Sequence, residues 1–338
     1  MTGLINPKID ALLEDTSRSF FITLQALPTK IRGQVGLLYL LARVADTVAD
    51  SKQGETQLLL DTLHEYNEVA QGRLETLPDF SILAQIQDND AEAKLLQNVS
   101  EVVTSLDKIS ENDQVMIREC LEIIVGGQAL DLERFGIANE GGETNSLEDE
   151  NELDDYAYRV AGSVGEFWTK VSLAYLFKAK GHKQEKLFAN GVRFGKALQL
   201  INILRDIPED LRFGRCYIPG NSLAEIGLDS SDLLDAENME KFRPLYNRYL
   251  DLASSHLDAA VEYIGMLPYH QFRLRGACML PVLIGQRTIS LLRTNNVLDS
   301  EHRVKVLRPE INDLIRKTKR SLIIPGGSKR LLKSNRDK

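Results

Sequence analysis

Cysteine, tryptophan and proline are scarce in this sequence: three, one and ten residues among 338. The three cysteines (Cys120, Cys216, Cys278) are an odd number at long spacing, which matches no zinc site and points to a reducing compartment. No apolar run is long enough to span a bilayer, because charged or polar residues interrupt every candidate. The first residues, with Asp10, Glu14 and Asp15, lack the basic start and apolar stretch of a signal peptide. Excess positive charge is missing too. With 41 basic against 49 acidic residues the net charge is −8, which argues against a general nucleic-acid binder. Alternating strand patterns and short-period repeats are both absent. The expected setting is cytoplasmic, or peripheral on the cytoplasmic side of a membrane.

What remains is an ordinary globular composition, 43% hydrophobic and 27% charged, which excludes wholesale disorder and a fibrous chain. The length suffices to bury about three-quarters of the surface that the unfolded chain exposes. Charge is unevenly spread. Acids gather from Glu143 to Asp155, whereas the C-terminal end carries Arg303, Lys305, Arg308, Arg316, Lys317, Lys319, Arg320, Lys329, Arg330, Lys333, Arg336 and Lys338. Past Pro325-Gly326-Gly327 apolar periodicity fades, so residues 321–338 are expected to form a basic, mobile tail. Such a tail is either a solvated end or a contact with anionic lipid.

Residues 1–320 read as helix almost throughout. Leu37, Leu38, Leu41, Val44, Ala45 and Val48 recur at helical spacing, as do Leu198, Ile201, Ile203, Leu204 and Ile207. Pro28 and Pro268 fit first-turn positions of the helices that follow them. No obvious linker precedes the tail, so one large all-α domain is expected, and a monomer.

Two segments stand out: Arg43-Val-Ala-Asp46-Thr-Val-Ala-Asp50 and Gln199-Leu-Ile-Asn202-Ile-Leu-Arg205-Asp206-Ile-Pro-Glu-Asp210. In each, two aspartates four apart share a helix face, where like charges repel by a few tenths of a kcal/mol. A hard divalent cation would offset that repulsion. Mg²⁺ binds through one or two carboxylates, keeps waters and bridges to substrate phosphates. An arginine precedes each pair, Arg43 and Arg205, and supplies a phosphate donor. One such pair is common on helices; two of them in apolar helices are harder to dismiss. Asn202 and Gln199 extend the second motif as a polar ladder, expected to face the core and to need partners there. Pro208 predicts a kink or an end to regular helix.

With these motifs the chain resembles the squalene/phytoene synthase family of head-to-head prenyl synthases. Five segments carry the resemblance in the family's order: Ser17-Arg18-Ser19-Phe20, Arg43 through Asp50, Tyr156 through Gly165, Gln199 through Asp210, and Gly214 through Pro219. The resemblance implies an isoprenoid-synthase-type helical domain, with two aspartate-rich motifs facing a central cavity and holding Mg²⁺ for allylic diphosphates. By position, Asp46, Asp50, Asn202, Asp206 and Asp210 resemble the metal-binding set. Arg18, Ser19, Arg43, Gln199, Arg205 and Arg215 resemble the diphosphate contacts, and Tyr156 the acid-base residue. Arg43, Asp46 and Asp206 join Tyr156 in the implied catalytic group. Phe20, Val160, Ala161, Val164, Gly165 and Leu200 match the prenyl pocket, where small residues leave room for the chain; close helix packing is their alternative reading. The chemistry needs a stabilised leaving diphosphate and a dry cavity for the carbocation.

Within the family, the start SRSFFITLQALP and the motif DTVAD resemble squalene synthases, whereas NILRDIPEDLRFGRCYIP is closer to phytoene and dehydrosqualene synthases, though bacterial squalene synthases also carry it. A bacterial-type squalene synthase is the expected member, which implies farnesyl diphosphate as substrate and NADPH as reductant. No GxGxxG is present, but the family binds NADPH without one. Lys305, Arg308 and Arg205 are the implied cofactor contacts. Two positions depart from the family pattern. Leu307 stands where an arginine follows the lysine, and Ala49 stands where many squalene synthases have glutamate. A dehydrosqualene or phytoene synthase without reduction is the alternative, and a non-catalytic scaffold of the same fold a remote one. The complete set of five segments argues against terpene cyclases and chain-elongating enzymes.

Overall fold

The computed structural model describes residues 7–51, 55–137, 141 and 143–336, without the side chains of Arg18, Ser19, Phe20 and Ile22. It is all-α, as the periodicity predicts. Among the described residues the only strands are β1 (Asn145–Ser146) and β2 (Arg215–Cys216), a two-residue parallel pair. The chain forms two compact units: residues 1–138 with 167–178, and residues 139–166 with 179–338.

The first unit opens with α1 (Pro7–Ala26), α2 (Thr29–Ala49) and α3 (Thr56–Ala70). Short helices α4 (Ser81–Gln85), α5 (Asp90–Leu96) and α6 (Val99–Thr104) follow, then the long α7 (Glu111–Phe135). The apolar stripe of α2 (Leu37, Leu38, Leu41, Val44, Ala45, Val48) is buried, largely against α7 and α3. Pro28 is the N-cap of α2, one residue ahead of the first turn where it was expected, and Asp50 is its C-cap rather than an interior residue. The buried Tyr66 of α3 donates its hydroxyl to the Leu41 carbonyl (2.8 Å), which ties α3 to α2.

The second unit begins with α8 (Glu150–Ala157). The acidic stretch falls at its start, where Asp149 caps the backbone N–H groups of Asn151 and Glu152 and negative charge meets the positive end of the helix dipole. Residues Tyr158–Gly162 form a π-turn that runs into α9 (Ser163–Tyr175), whose later part belongs to the first unit. Next come α10 (His182–Arg212), α11 (Gly220–Glu225), α12 (Met239–Met266), α13 (Phe272–Thr294), α14 (Arg308–Ile323) and α15 (Gly327–Arg336). Helices α10 and α12 make the main core contact of this unit, with Phe242, Tyr246, Tyr249 and Tyr263 buried along α12.

Three local expectations are corrected. Pro208 neither ends nor breaks α10, which continues to Arg212. A proline at 208 cannot donate to the carbonyl of residue 204. Tyr246 Oη donates to that Leu204 carbonyl at 2.9 Å, so the orphaned acceptor is satisfied. Pro268 lies in the turn before α13, four residues ahead of Phe272, and its carbonyl accepts from Gln271 N–H. Residues 327–336, expected within a mobile tail, form α15 packed on α13 and α14. Leu332 is buried, Gln286 Nε2 donates to its carbonyl (3.2 Å), and Arg336 pairs with Asp258 (2.9 Å).

Candidate active site

In the first unit, the last turns of α2 present the motif's charged groups on a helix otherwise committed to the core. Arg43 and Asp46 are an i,i+3 ion pair, and the other arm of the Arg43 guanidinium reaches Glu92 on α5. Burial works against the charge on Arg43, but the carboxylates of Asp46 and Glu92 outweigh it and raise its pKa, so it stays protonated. Gln128 Nε2 on α7 donates to the second oxygen of Asp46 at 3.1 Å. Asp46 is about one-third exposed, and Asp50, at the helix end, is exposed. Glu92 and Gln128 were missed by motif reasoning. Gln128 was findable: it and Asp131 are polar residues three apart on an otherwise apolar stretch of α7, and both are buried in the fold. The side chains of Arg18, Ser19 and Phe20 lie outside the described residues.

In the second unit, α10 carries Asp206 on a half-buried face. Arg205 grips both oxygens of its carboxylate, and Arg303 Nη2 donates to one of them at 2.8 Å. Desolvation pushes the Asp206 pKa up, but the hydrogen bonds and charges of Arg205 and Arg303 outweigh it and hold the group below the usual carboxylate range. Arg303 also reaches Glu209 at 2.9 Å. Around this network is a cleft of about 190 Å³ lined by Arg205, Asp206, Glu209, Arg212, Arg303 and Val304, among others. Arg303 is the residue that sequence reasoning overlooked: it was one cation in a basic run, and its partner lies 97 positions away. Lys305, two residues further on, is exposed and does not line the cleft; Arg308, at the start of α14, is exposed too.

The polar ladder on α10 does not face the core. Asn202 is exposed and Gln199 is half-buried, while the neighbouring Leu200 is buried. At the end of α10, Asp210 shares a small gap with Arg215, Cys216 and Tyr217. Burial, aided by the Asp210 charge, pushes the Cys216 thiol up to about 12, so it is no nucleophile at neutral pH. Tyr156, at the end of α8, is buried and stacks on Tyr217 with centroids 4.7 Å apart and its hydroxyl 3.3 Å from that of Tyr217. The π-turn immediately after Tyr156 is the type of irregularity that concentrates at functional positions.

The small residues after Tyr156 pack helices. A Cβ on Gly165 would lie 1.9 Å from the Gly191 carbonyl oxygen, and one on Gly195 would lie 2.0 Å from that of Ala161. Backbone therefore meets backbone between this segment and α10, and Gly165 leaves no space there for a ligand chain. Val160, Ala161 and Val164 are half-buried on the same segment.

The donor set suits Mg²⁺. Asp46, Asp206 and Asp210 offer hard carboxylate oxygens, and arginines beside the first two suit a diphosphate. Among the described residues no three His, Cys, Asp or Glu side chains cluster into a cage. Asp206 Oδ1 accepts from both Arg205 and Arg303, which takes its two lone-pair directions, whereas Oδ2 accepts from Arg205 and keeps one direction for a cation.

Residues 13–310 match the family model described as squalene/phytoene synthase. The squalene synthase of Saccharomyces cerevisiae is 27% identical over 285 residues, which cover 84% of this chain and 61% of that protein. A bifunctional lycopene cyclase/phytoene synthase of Pyrenophora tritici-repentis is 30% identical over 264 residues, covering 76% of this chain and 41% of that protein. The chain thus spans less than two thirds of the length of either relative. Its fold matches that of TcSQS in a ligand complex with a TM-score of 0.80 at 21% identity, over 97% of this chain and 90% of the other. With its aspartate motifs in order and the match running over most of its length, the chain belongs to the squalene/phytoene synthase family.

Proposed function

We propose that this protein is a squalene synthase. Two farnesyl diphosphates condense head to head to presqualene diphosphate, releasing one diphosphate and a proton. Ionisation of presqualene diphosphate would then release the second diphosphate, and NADPH, leaving as NADP⁺, would supply the hydride that makes the product squalene. The observation that supports this best is the pairing of a partly buried aspartate with arginine in both motifs, Arg43–Asp46 and Arg205–Asp206. Mg²⁺ bound to these carboxylates would supply Lewis-acid stabilisation of the departing diphosphate. Arg43, Arg205 and Arg215 would hold diphosphate oxygens through charge-assisted hydrogen bonds. Tyr156, buried on Tyr217 with the two hydroxyls 3.3 Å apart, would relay the proton lost in the condensation, accepting it as its own hydroxyl proton passes to the released diphosphate. Lys305 and Arg308, exposed beyond the cleft, would meet the phosphates of NADPH as point charges or forks.

A second reading, dehydrosqualene or phytoene synthase without reduction, is favoured by Leu307 at the position of the expected arginine and by the phytoene synthase relative. Incubation with farnesyl diphosphate and Mg²⁺, with and without NADPH, separates the two. Squalene formed only with NADPH supports the proposal. A product that stays dehydrosqualene at saturating NADPH refutes the reductive step and moves the chain to the carotenoid side of the family.

A further inference from the structure

In the second unit, two chain turns leave large apolar side chains in water. Tyr269, in the turn before α13, is 59% exposed, and Phe272, the first residue of α13, is 57% exposed. Ile323 ends α14 at 80% exposure and Ile324 follows at 48%. The two turns adjoin each other. Tyr269 Oη donates to the Leu322 carbonyl at 3.3 Å, and a Cβ on Gly276 of α13 would lie 2.9 Å from Leu322 Cδ1. Apolar residues scattered singly over a surface are unremarkable, but four brought together at the end of one helix pair form a patch that wants a partner.

The surroundings of this patch are cationic. Between residues 314 and 336 the sequence has eight lysines and arginines and no acid. Lys319 and Arg320 lie one turn before Ile323, and Lys329 and Arg330 open α15 just beyond Ile324; all four are exposed. No carboxylate pairs with Lys319, Arg320 or Lys329 among the described residues, whereas Arg316 and Lys317 are partnered by Asp313. Helix α15 is fixed by the buried Leu332, by Asn335 Nδ2 donating to the Leu283 carbonyl of α13 (3.0 Å) and by the pair of Arg336 with Asp258 of α12. The cations are therefore held around the apolar tip instead of being dispersed along a loose tail.

We propose that this tip docks on an anionic membrane surface. Tyr269, Phe272, Ile323 and Ile324 enter the headgroup layer, while Lys319, Arg320, Lys329 and Arg330 sit over lipid phosphates. An apolar face flanked by lysine and arginine is the pattern of segments that lie in the bilayer interface, and tyrosine suits the boundary because its ring is apolar and its hydroxyl is wet. Charge decides between this occupant and a second copy of the chain. A two-fold dimer would set the cationic collar against itself, whereas a bilayer rich in phosphatidylglycerol offers the complementary sign.

Flotation with vesicles of phosphatidylglycerol and phosphatidylcholine, compared with phosphatidylcholine alone, tests the proposal on the full chain. Wild type is expected to float only with the anionic vesicles, and less so as salt rises. The apolar variant Phe272→Ser/Ile323→Ser and the charge variant Lys319→Gln/Arg320→Gln/Lys329→Gln should each fold normally, since every altered side chain is exposed. Each neutralised cation should weaken binding about fivefold, and the apolar pair should weaken it about tenfold or more. In Ile323→Trp, tryptophan emission should shift to the blue on anionic vesicles only. Undiminished flotation of the apolar variant, or emission that does not move while the protein floats, would overturn the proposal. So would a wild-type dimer in sedimentation that the apolar variant dissociates, without any flotation, because the occupant would then be a second copy.

Discussion

Adding a single methyl group at Gly165 tests whether backbone contact with α10 sets the position of the segment that follows Tyr156. In an unobstructed helix, Gly→Ala stabilises by about 0.5–1 kcal/mol through reduced chain entropy and better helix propensity. At Gly165 the new Cβ would stand 1.9 Å from the Gly191 carbonyl oxygen, where ordinary contact begins near 3.4 Å. The two helices must therefore separate by the difference, 1.5 Å, and the obstacle is backbone that no rotamer change can move. Overpacking a core costs about 1–3 kcal/mol, and a rigid obstacle places this case at the upper end. The net expectation for Gly165→Ala is a loss of about 2 kcal/mol, or roughly 5 °C in the unfolding midpoint. Gly195→Ala, 2.0 Å from the Ala161 oxygen, should behave alike. Gly265→Ala is the control: it is helical, and nothing lies within 4 Å of its Cβ, so its midpoint should hold or rise. Thermal unfolding followed by circular dichroism reads all three. A Gly165→Ala protein as stable as the Gly265→Ala control would refute the close-contact account.

His256 accepts from Arg193 Nε at 3.1 Å. Burial first, then the charges of Arg193 and Lys196, lower its pKa from 6.5 to about 4, against a smaller opposing pull from Asp154. The unfolded chain thus binds the proton more readily, so stability is complete above pH 6.5 and falls as the pH drops towards about 4; His256→Gln should flatten that part of the denaturation profile. Tyr156→Phe keeps the stack on Tyr217 and should change stability by no more than about 1 kcal/mol, while product formation falls on the order of a hundredfold or more. Turnover within a few-fold of wild type would make Tyr156 a packing residue. Arg303→Ala removes the link from the 297–304 segment to Asp206 and Glu209, and amide exchange in that segment should quicken several-fold. Unchanged exchange would mean that other contacts fix the segment.

The all-α class was legible because apolar residues repeat at helical spacing along α2 and α10, and both aspartate motifs were legible because carboxylates interrupt those stripes. Long-range partners were not. Nothing local to Pro208 indicates that Tyr246, from another helix, satisfies the carbonyl that the proline abandons. Arg303 reads as one cation among many until the fold brings it to Asp206. The polar ladder misled for a related reason. Spacing puts Asn202 one turn from Asp206, but the residue is exposed, and only tertiary packing decides which edge of a stripe meets water. The π-turn after Tyr156 was equally hidden, since one widened turn leaves the apolar pattern almost unchanged. Gly165 shows the opposite case: both readings, room for a ligand and close packing, were available from composition, and the 1.9 Å approach to Gly191 selects the second.

The proposed function makes each aspartate motif, taken by itself, necessary for ionising the allylic diphosphate. Diphosphate release from farnesyl diphosphate, measured across a Mg²⁺ titration for wild type, Asp46→Asn and Asp206→Asn, tests it most directly. The account predicts Mg²⁺-dependent release by wild type and a loss of about a hundredfold or more in each variant, with helical circular dichroism unchanged. Wild-type release from either folded variant would contradict it.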